Sequence, residues 1–111
     1  MFERSVWAEI DLGAIAYNVR QIRRMTASSA QICAVVKADA YGHGAVAVAR
    51  TMLHAGADRL AVAIINEALE LRRAGFRVPI LVLGYTPACQ AAIVVDQDIT
   101  CLLYTSDAAD E

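Results

Sequence analysis

The sequence is short of lysine, of glycine-rich phosphate motifs and of excess basic charge, and each shortage excludes a class of function. Lys37 is the only lysine among ten basic residues, and the formal net charge is −2, so no surface for nucleic acid or anionic membranes is indicated. No Gly-x-Gly-x-x-Gly motif follows an apolar run, which counts against dinucleotide binding. The three cysteines lack metal-ligand spacing, so we expect reduced thiols and no metal site.

The sequence also lacks a segment suited to secretion or to crossing a membrane. The N-terminus carries charges as early as Arg4 and has no long apolar region of the kind a signal peptide needs. Residues 78–95 are free of charge, but Pro79, Gly84 and Pro87 interrupt them, so a strand, a turn and a helix explain this stretch better. We therefore expect a cytoplasmic protein.

Short apolar runs alternate with amphipathic stretches along the chain. Strands are predicted at residues 6–12, 32–36, 60–65, 79–83 and 99–103, and helices after Gly13, Gly44, Asn66 and Thr86. Strand and helix in alternation are typical of βαβ units and a parallel sheet. The pattern alone predicts an α/β protein that is either an open doubly wound sheet or part of a barrel.

Lys37 stands where the predicted strand Ile32–Val36 ends and a small-residue segment begins. We expect this strand to be buried on both faces, with Cys33 in the core. Ligand sites of α/β folds are built where such strands end. Desolvation behind the strand favours the neutral amine, which arginine cannot supply, so Lys37 is the candidate nucleophile or base.

The segment around this lysine carries a family resemblance. Ala34 to Gly44 reads Ala-Val-Val-Lys-Ala-Asp-Ala-Tyr-Gly-His-Gly and resembles the pyridoxal-phosphate attachment motif of bacterial alanine racemases. Further stretches match that family in the same order, at residues 7–12, 60–63, 67–68 and 79–87. The resemblance covers residues 6 to about 100 and selects the barrel.

The resemblance implies an incomplete N-terminal part of a (β/α)8 TIM-type barrel, because a complete barrel needs about 250 residues. On this interpretation residues 1–100 are the N-terminal portion of the barrel domain. Residues 101–111 do not match the family, and we expect a truncation or foreign sequence there. An opened barrel leaves an unpaired edge and an uncovered apolar face, so we expect the chain alone to be either marginally stable or aggregation-prone, and to be inactive as a racemase.

The same resemblance assigns chemistry to three residues. It implies pyridoxal 5'-phosphate bound as a Schiff base to Lys37, which is also the catalytic base on the D-enantiomer side of alanine. Tyr41 matches the tyrosine that contacts the cofactor phosphate, and Leu83 matches a residue against the cofactor ring. A tyrosine of a second subunit serves the other face, so the full-length protein is expected to be a homodimer that supplies D-alanine for peptidoglycan.

Other interpretations stay open at this point. A racemase for serine or for a broader set of amino acids, a basic-amino-acid decarboxylase, and a non-catalytic pyridoxal-phosphate-binding protein share the lysine. Gly42 and Gly44 are expected to permit a tight turn and a close backbone approach. The remaining polar residues of interest are interpreted as structural or solvated: His43, Asp39, His54, Asp58, Glu67, Arg72 and Arg73.

Overall fold

Helices and parallel strands alternate along the chain, and the strands form one sheet. The computed structural model describes residues 6–102. Its elements are α1 (Leu12–Met25), β1 (Cys33–Val35), α2 (Lys37–Tyr41), α3 (Ala45–Ala55), β2 (Arg59–Val62), α4 (Ile65–Arg73), β3 (Ile80–Val82), a 3₁₀ turn (Ala88–Gln90), α5 (Ala91–Asp96) and β4 (Thr100–Cys101). The strands pair in the order β1-β2-β3-β4, all parallel. Each strand is added on the same side, without the reversal of a doubly wound sheet, as in an arc of a barrel.

The hydrophobic core lies between the helices and one face of the sheet. Leu60 and Ile80 are fully buried on that face, and α4 packs Ala68 and Leu71 in the same cluster. Burying one leucine or isoleucine side chain contributes roughly 1.5–3 kcal/mol. This layer of apolar side chains therefore fixes how the helices sit on the sheet.

The opposite face of the sheet is open at β1. Cys33 is exposed and Val35 is 38% exposed, whereas Ala34 between them is buried. The expectations of a strand buried on both faces and of a core Cys33 were therefore wrong, because the described residues leave that face of β1 uncovered. Desolvation by neighbouring atoms raises the pKa of the Cys33 thiol, and Arg59 opposes this shift.

The predicted first strand, Val6–Leu12, is not a strand in the structure. Residues 6–11 have irregular backbone, with Val6 81% and Trp7 73% exposed. Alternating apolar and polar residues form a strand only where another strand pairs with them, and the described sheet offers none here. Asp11 instead caps α1, its Oδ1 accepting a hydrogen bond from the Ala14 amide at 3.0 Å.

Two arginines hold the edge of the sheet at which the strands begin, called the amino edge below. Arg23 donates from Nη2 to the carbonyls of Ala27 (2.7 Å) and Ala30 (2.8 Å), and its Nη1 lies 3.3 Å from Asp58 Oδ2. That carboxylate oxygen also accepts from the Ile32 amide at 2.7 Å. Asp58 is exposed, as expected for a surface residue, yet it links the N-terminal ends of β1 and β2.

Arg72 has the same function on the other side of the amino edge. Its guanidinium donates to four carbonyl groups, those of Phe76 (3.0 Å), Val78 (2.8 Å), Gln97 (2.9 Å) and Asp98 (2.9 Å). The first two precede β3 and the last two precede β4. Arg72 is therefore a structural bridge, and its interpretation as a solvated helix charge was wrong.

Of the predicted tail, residues 101–111, the structure describes only two residues. Cys101 belongs to β4, which is shorter than the strand predicted at residues 99–103, and Leu102 follows it. The rest of the predicted tail lies outside the described residues. The domain boundary at residue 100 therefore stays a prediction.

Candidate active site

Lys37 lies at the opposite edge of the sheet, where the strands end, called the carboxyl edge below. The parallel ladder continues to Val36, whose amide donates to the Ala61 carbonyl at 2.9 Å, and Lys37 follows it half-buried. Leu83 likewise follows β3 directly, and its amide donates to the Val62 carbonyl at 2.8 Å. Two of the three predicted site residues are thus brought to the same edge.

The backbone that follows Lys37 forms a left-handed helical turn. Ala38, Asp39, Ala40 and Tyr41 have φ between 51° and 58°, and Gly42 ends the turn at φ 87°. A left-handed conformation costs a residue with a Cβ roughly 1–2 kcal/mol. Four such residues in succession persist only where surrounding contacts hold them, and strain of this kind clusters at functional sites. Gly42 supports the predicted tight turn.

Glu67 is the main contact that holds this turn to the sheet. Its Oε2 accepts a hydrogen bond from the Ala38 amide at 2.6 Å, and its Oε1 accepts from the amides of Ala63 (2.8 Å) and Ile64 (3.2 Å). One carboxylate therefore connects the ends of β1 and β2. Glu67 thus contributes to the cap of α4, as its place in the first turn indicates, but it is half-buried and not a solvated charge. The helix predicted after Asn66 begins earlier, at Ile65, with Ile64 in the N-cap position.

The turn is also bonded to the helix that follows it. Asp39 Oδ1 accepts from the Ala45 amide at 2.7 Å, at the start of α3. His43 Nδ1 lies 3.0 Å from the Ala40 carbonyl and 3.3 Å from that of Tyr41. Asp39 thus joins the turn to α3 instead of merely lying on the surface. His43 bonds the loop, in agreement with its structural interpretation.

Tyr41 brings an aromatic ring and a hydroxyl to the same edge. Its side chain is 61% exposed, and the Lys37 Nζ lies 5.9 Å from the ring centroid, within reach of a cation–π interaction. The left-handed turn determines this proximity. An exposed tyrosine ring and a primary amine are therefore neighbours at the open end of β1.

The end of β3 approaches the end of β2 very closely. Leu83 donates from its amide to the Val62 carbonyl at 2.8 Å, and Gly84 donates to the Ala63 carbonyl at 2.9 Å. A Cβ at Gly84 would lie 2.5 Å from the Ala63 oxygen, so only glycine fits. The close backbone approach expected at Gly42 and Gly44 is found at Gly84, since a Cβ at either of those two glycines meets nothing within 4 Å.

Neither a metal nor a membrane function gains support from the described residues. Between residues 6 and 102, no group of three or more histidine, cysteine, aspartate or glutamate side chains is arranged to hold a metal ion. In the same range no helix combines the length and the apolar character that a bilayer-spanning helix needs.

Comparisons with known proteins agree on one family. The family model described as alanine racemase, N-terminal domain, matches residues 10–111. Alanine racemase 1 of Clostridium acetobutylicum is 53% identical over 108 residues, and the alanine racemase of Geobacillus stearothermophilus is 52% identical over 110 residues. These matches cover 97% and 99% of the chain, which spans only 28% of the length of either relative.

Solved structures give the same result for the fold. The crystal structure of alanine racemase from Bacillus anthracis with bound L-Ala-P superposes with a TM-score of 0.90 at 45% identity, over 99% of this chain and 28% of that one. The alanine racemase of Clostridium difficile 630 gives a TM-score of 0.86 at 40% identity, over 99% of this chain. The expected barrel, and not a doubly wound sheet, is the fold that these neighbours share.

Proposed function

The chain belongs to the alanine racemase family, and from that membership we propose that it supplies the lysine on which such a racemase holds its cofactor. Its fold is the N-terminal part of the (β/α)8 barrel. The observation that carries the proposal is the placement of the only lysine, Lys37, at the carboxyl edge on a strained turn. Lysine in such a position serves as an amine nucleophile or base.

The side chains at this edge fit pyridoxal 5'-phosphate by their chemistry. An aldehyde needs a primary amine, which Lys37 provides. A phosphate needs hydrogen-bond donors, and the exposed Tyr41 hydroxyl beside Lys37 is one. An aromatic ring needs an apolar surface, which Leu83 can supply at the end of β3, on the same edge of the sheet. Lys37, Tyr41 and Leu83 are therefore the proposed cofactor-binding residues of this chain.

The proposed reaction is the interconversion of L-alanine and D-alanine. When bound, pyridoxal phosphate supplies an electron sink that acidifies the α-proton of an amino acid. Lys37 accepts or returns that proton at Nζ on one face of the α-carbon, which by the family resemblance is the D-enantiomer side. Tyr41 orients the phosphate, and its ring lies beside Nζ, 5.9 Å away at the centroid.

The whole protein is proposed to be a cytoplasmic homodimer that supplies D-alanine for peptidoglycan. The relatives' names support alanine as the substrate, because relatives at 47–53% identity are all called alanine racemase. This agreement favours the racemase over the decarboxylase and the non-catalytic binding protein. The base on the second face of the substrate is proposed to be a tyrosine of the other subunit.

A chimera tests this function in a complete racemase. Residues 1–100 replace the matching segment of the Geobacillus stearothermophilus relative, and alanine racemisation is followed by circular dichroism in both directions. We expect activity in the chimera, and a loss of at least about 10³-fold in a Lys37→Arg version, because arginine keeps the charge but cannot release a proton. A folded chimera whose activity survives Lys37→Arg would contradict the proposal.

A further inference from the structure

The carboxylate of Glu67 bridges two strand ends, one of which carries Lys37. Its Oε2 accepts from the Ala38 amide at 2.6 Å, directly after Lys37, and its Oε1 accepts from the amides of Ala63 and Ile64 at 2.8 Å and 3.2 Å. Hydrogen bonds to an ionised carboxylate are roughly twice as strong as neutral ones. The shortest of the three is the one to the lysine turn, residues 37–42.

The lysine turn needs an external contact of this kind. Its residues are alanine, aspartate and tyrosine in a conformation that favours glycine, so the backbone has no local preference for the observed shape. Within the turn the Ala40 amide donates to the Val36 carbonyl and the Gly42 amide to that of Ala38. The Ala38 amide donates outside the turn, to Glu67. Water can accept from an exposed amide, but it cannot connect that amide to β2.

We propose that Glu67 is a positioning residue for Lys37. By binding the Ala38 amide, Glu67 fixes the direction in which the backbone leaves β1 and thereby the position of Lys37. Glu67 is half-buried on α4, and this helix packs on β2 and β3. The backbone position from which the Glu67 side chain extends is therefore fixed relative to the sheet. The catalytic meaning of this role rests on the proposed function. The geometric claim, that Glu67 orders the lysine turn, does not require any cofactor.

A simpler role for Glu67 is to cap α4 alone. The bonds to Ala63 and Ile64 would satisfy amides at the start of that helix without any effect on Lys37. Glu70 offers a matched control, because it lies one turn further along the same helix, carries the same charge and is exposed. A helix-capping role and a positioning role therefore make different predictions for the Ala38 amide.

The experiment compares Glu67→Met, Glu67→Gln and Glu70→Met in the 111-residue chain without cofactor. Methionine keeps the length and helix preference of glutamate but accepts no strong hydrogen bond, and glutamine keeps one accepting oxygen. Amide hydrogen exchange is measured by NMR at Ala38, Ala63 and Ile64. Because Lys37 is the only lysine, reductive methylation with ¹³C-formaldehyde gives one side-chain signal, apart from the N-terminal amine, that reports its surroundings.

We expect Glu67→Met to accelerate exchange at Ala38 by about tenfold or more, and to shift or broaden the ¹³C signal of Lys37. Glu67→Gln should retain protection either at Ala38 or at the Ala63–Ile64 pair, but not at both. Glu70→Met should leave all of these signals at their wild-type values. Partial rescue by glutamine separates the carboxylate's contacts from a general effect of its charge.

The proposal would be overturned if Glu67→Met accelerated exchange only at Ala63 and Ile64 and left both the Ala38 exchange rate and the Lys37 signal unchanged. Glu67 would then be a helix cap only. If Glu67→Met does not fold by circular dichroism, Glu67→Gln decides, because full protection at both strand ends would then contradict the bridge. Failure of the chain to take up pyridoxal phosphate would count against the proposed function alone, since neither readout uses the cofactor.

Discussion

The two edges of the sheet are held mainly by side chains of opposite charge, and the carboxylate of Asp58 at the amino edge is the exception. At the carboxyl edge, the carboxylates of Glu67 and Asp39 accept hydrogen bonds from backbone amides. At the amino edge, the guanidinium groups of Arg23 and Arg72 donate to backbone carbonyls. The difference follows from the βα architecture, because strands run into helix N-termini with free amides and are preceded by helix C-termini with free carbonyls.

The backbone differs between the edges as well. The carboxyl edge contains the lysine turn, in which four residues other than glycine are left-handed in succession. The loops before the four strands at the amino edge have positive φ at Gly56, at Gly75 and, as their single residue other than glycine, at Asp98. Consecutive left-handed residues are thus found at the edge that presents Lys37, whereas the opposite edge has a single left-handed residue other than glycine, Asp98, whose carbonyl is bonded by Arg72. Barrel enzymes divide chemistry and stability between their two edges in this way.

The largest effect is expected at the amino edge, from Arg72→Met. This change leaves four carbonyl groups, three of them half-buried, without their donor and should lower the free energy of unfolding by on the order of 3 kcal/mol. Urea unfolding followed by circular dichroism measures the loss. Arg73→Met is the control, because Arg73 is exposed on the same helix and should change stability little. Equal losses of stability in Arg72→Met and Arg73→Met would contradict the role of Arg72 as the bridge at the amino edge.

A smaller loss is expected from Gly84→Ala at the carboxyl edge. The new methyl group would lie 2.5 Å from the Ala63 carbonyl oxygen, and separating the ends of β2 and β3 should cost about 2 kcal/mol. The matched change Gly13→Ala meets only the flexible Asp11 side chain at 3.2 Å and should alter the free energy of unfolding by no more than about 1 kcal/mol. Thermal unfolding of both variants checks the order, and an equally stable Gly84→Ala chain would show that the strands separate freely.

The smallest change in the free energy of unfolding is expected from Ala38→Gly, and it should be zero or slightly stabilising. Glycine removes the left-handed penalty of roughly 1–2 kcal/mol and adds unfolded-state entropy worth roughly 0.5–1 kcal/mol, so the chain should be as stable as before or slightly more stable. Ala47→Gly, at an exposed position of the right-handed α3, should instead cost about 1 kcal/mol. Equal losses in urea unfolding would argue against a left-handed turn at residue 38.

Local patterns predicted the elements of the sheet well. The apolar runs at 60–65 and 79–83 became β2 and β3, and helices followed glycine or proline signals at Gly44 and Pro87. The wrong predictions at residues 6–12 and at Cys33 share one physical cause. Periodicity indicates which residues could face a partner, but only the assembled fold decides whether that partner is there.

The sequence indicates the residue types of the proposed site but not its geometry. Lys37 follows a strand end that the sequence marks, whereas the proposed roles of Tyr41 and Leu83 came from the family resemblance and stay predictions. The left-handed turn was not predictable, because its alanine, aspartate and tyrosine carry no glycine signal. Glu67 was missed because its contact with Ala38 spans 29 residues of sequence, and a first-turn glutamate looks the same whether it caps a helix or bridges two strands.

The central claim is that Lys37 is the amine that this edge presents to an aldehyde cofactor, and peptide mapping tests it most directly. The chain is mixed with pyridoxal phosphate, reduced with borohydride and digested, and the modified peptides are quantified by mass spectrometry beside a Lys37→Arg control. We predict that the label is concentrated on the peptide containing Lys37 and is lost in the control. Label confined to the N-terminal amine, in equal amounts in both chains, would contradict the account.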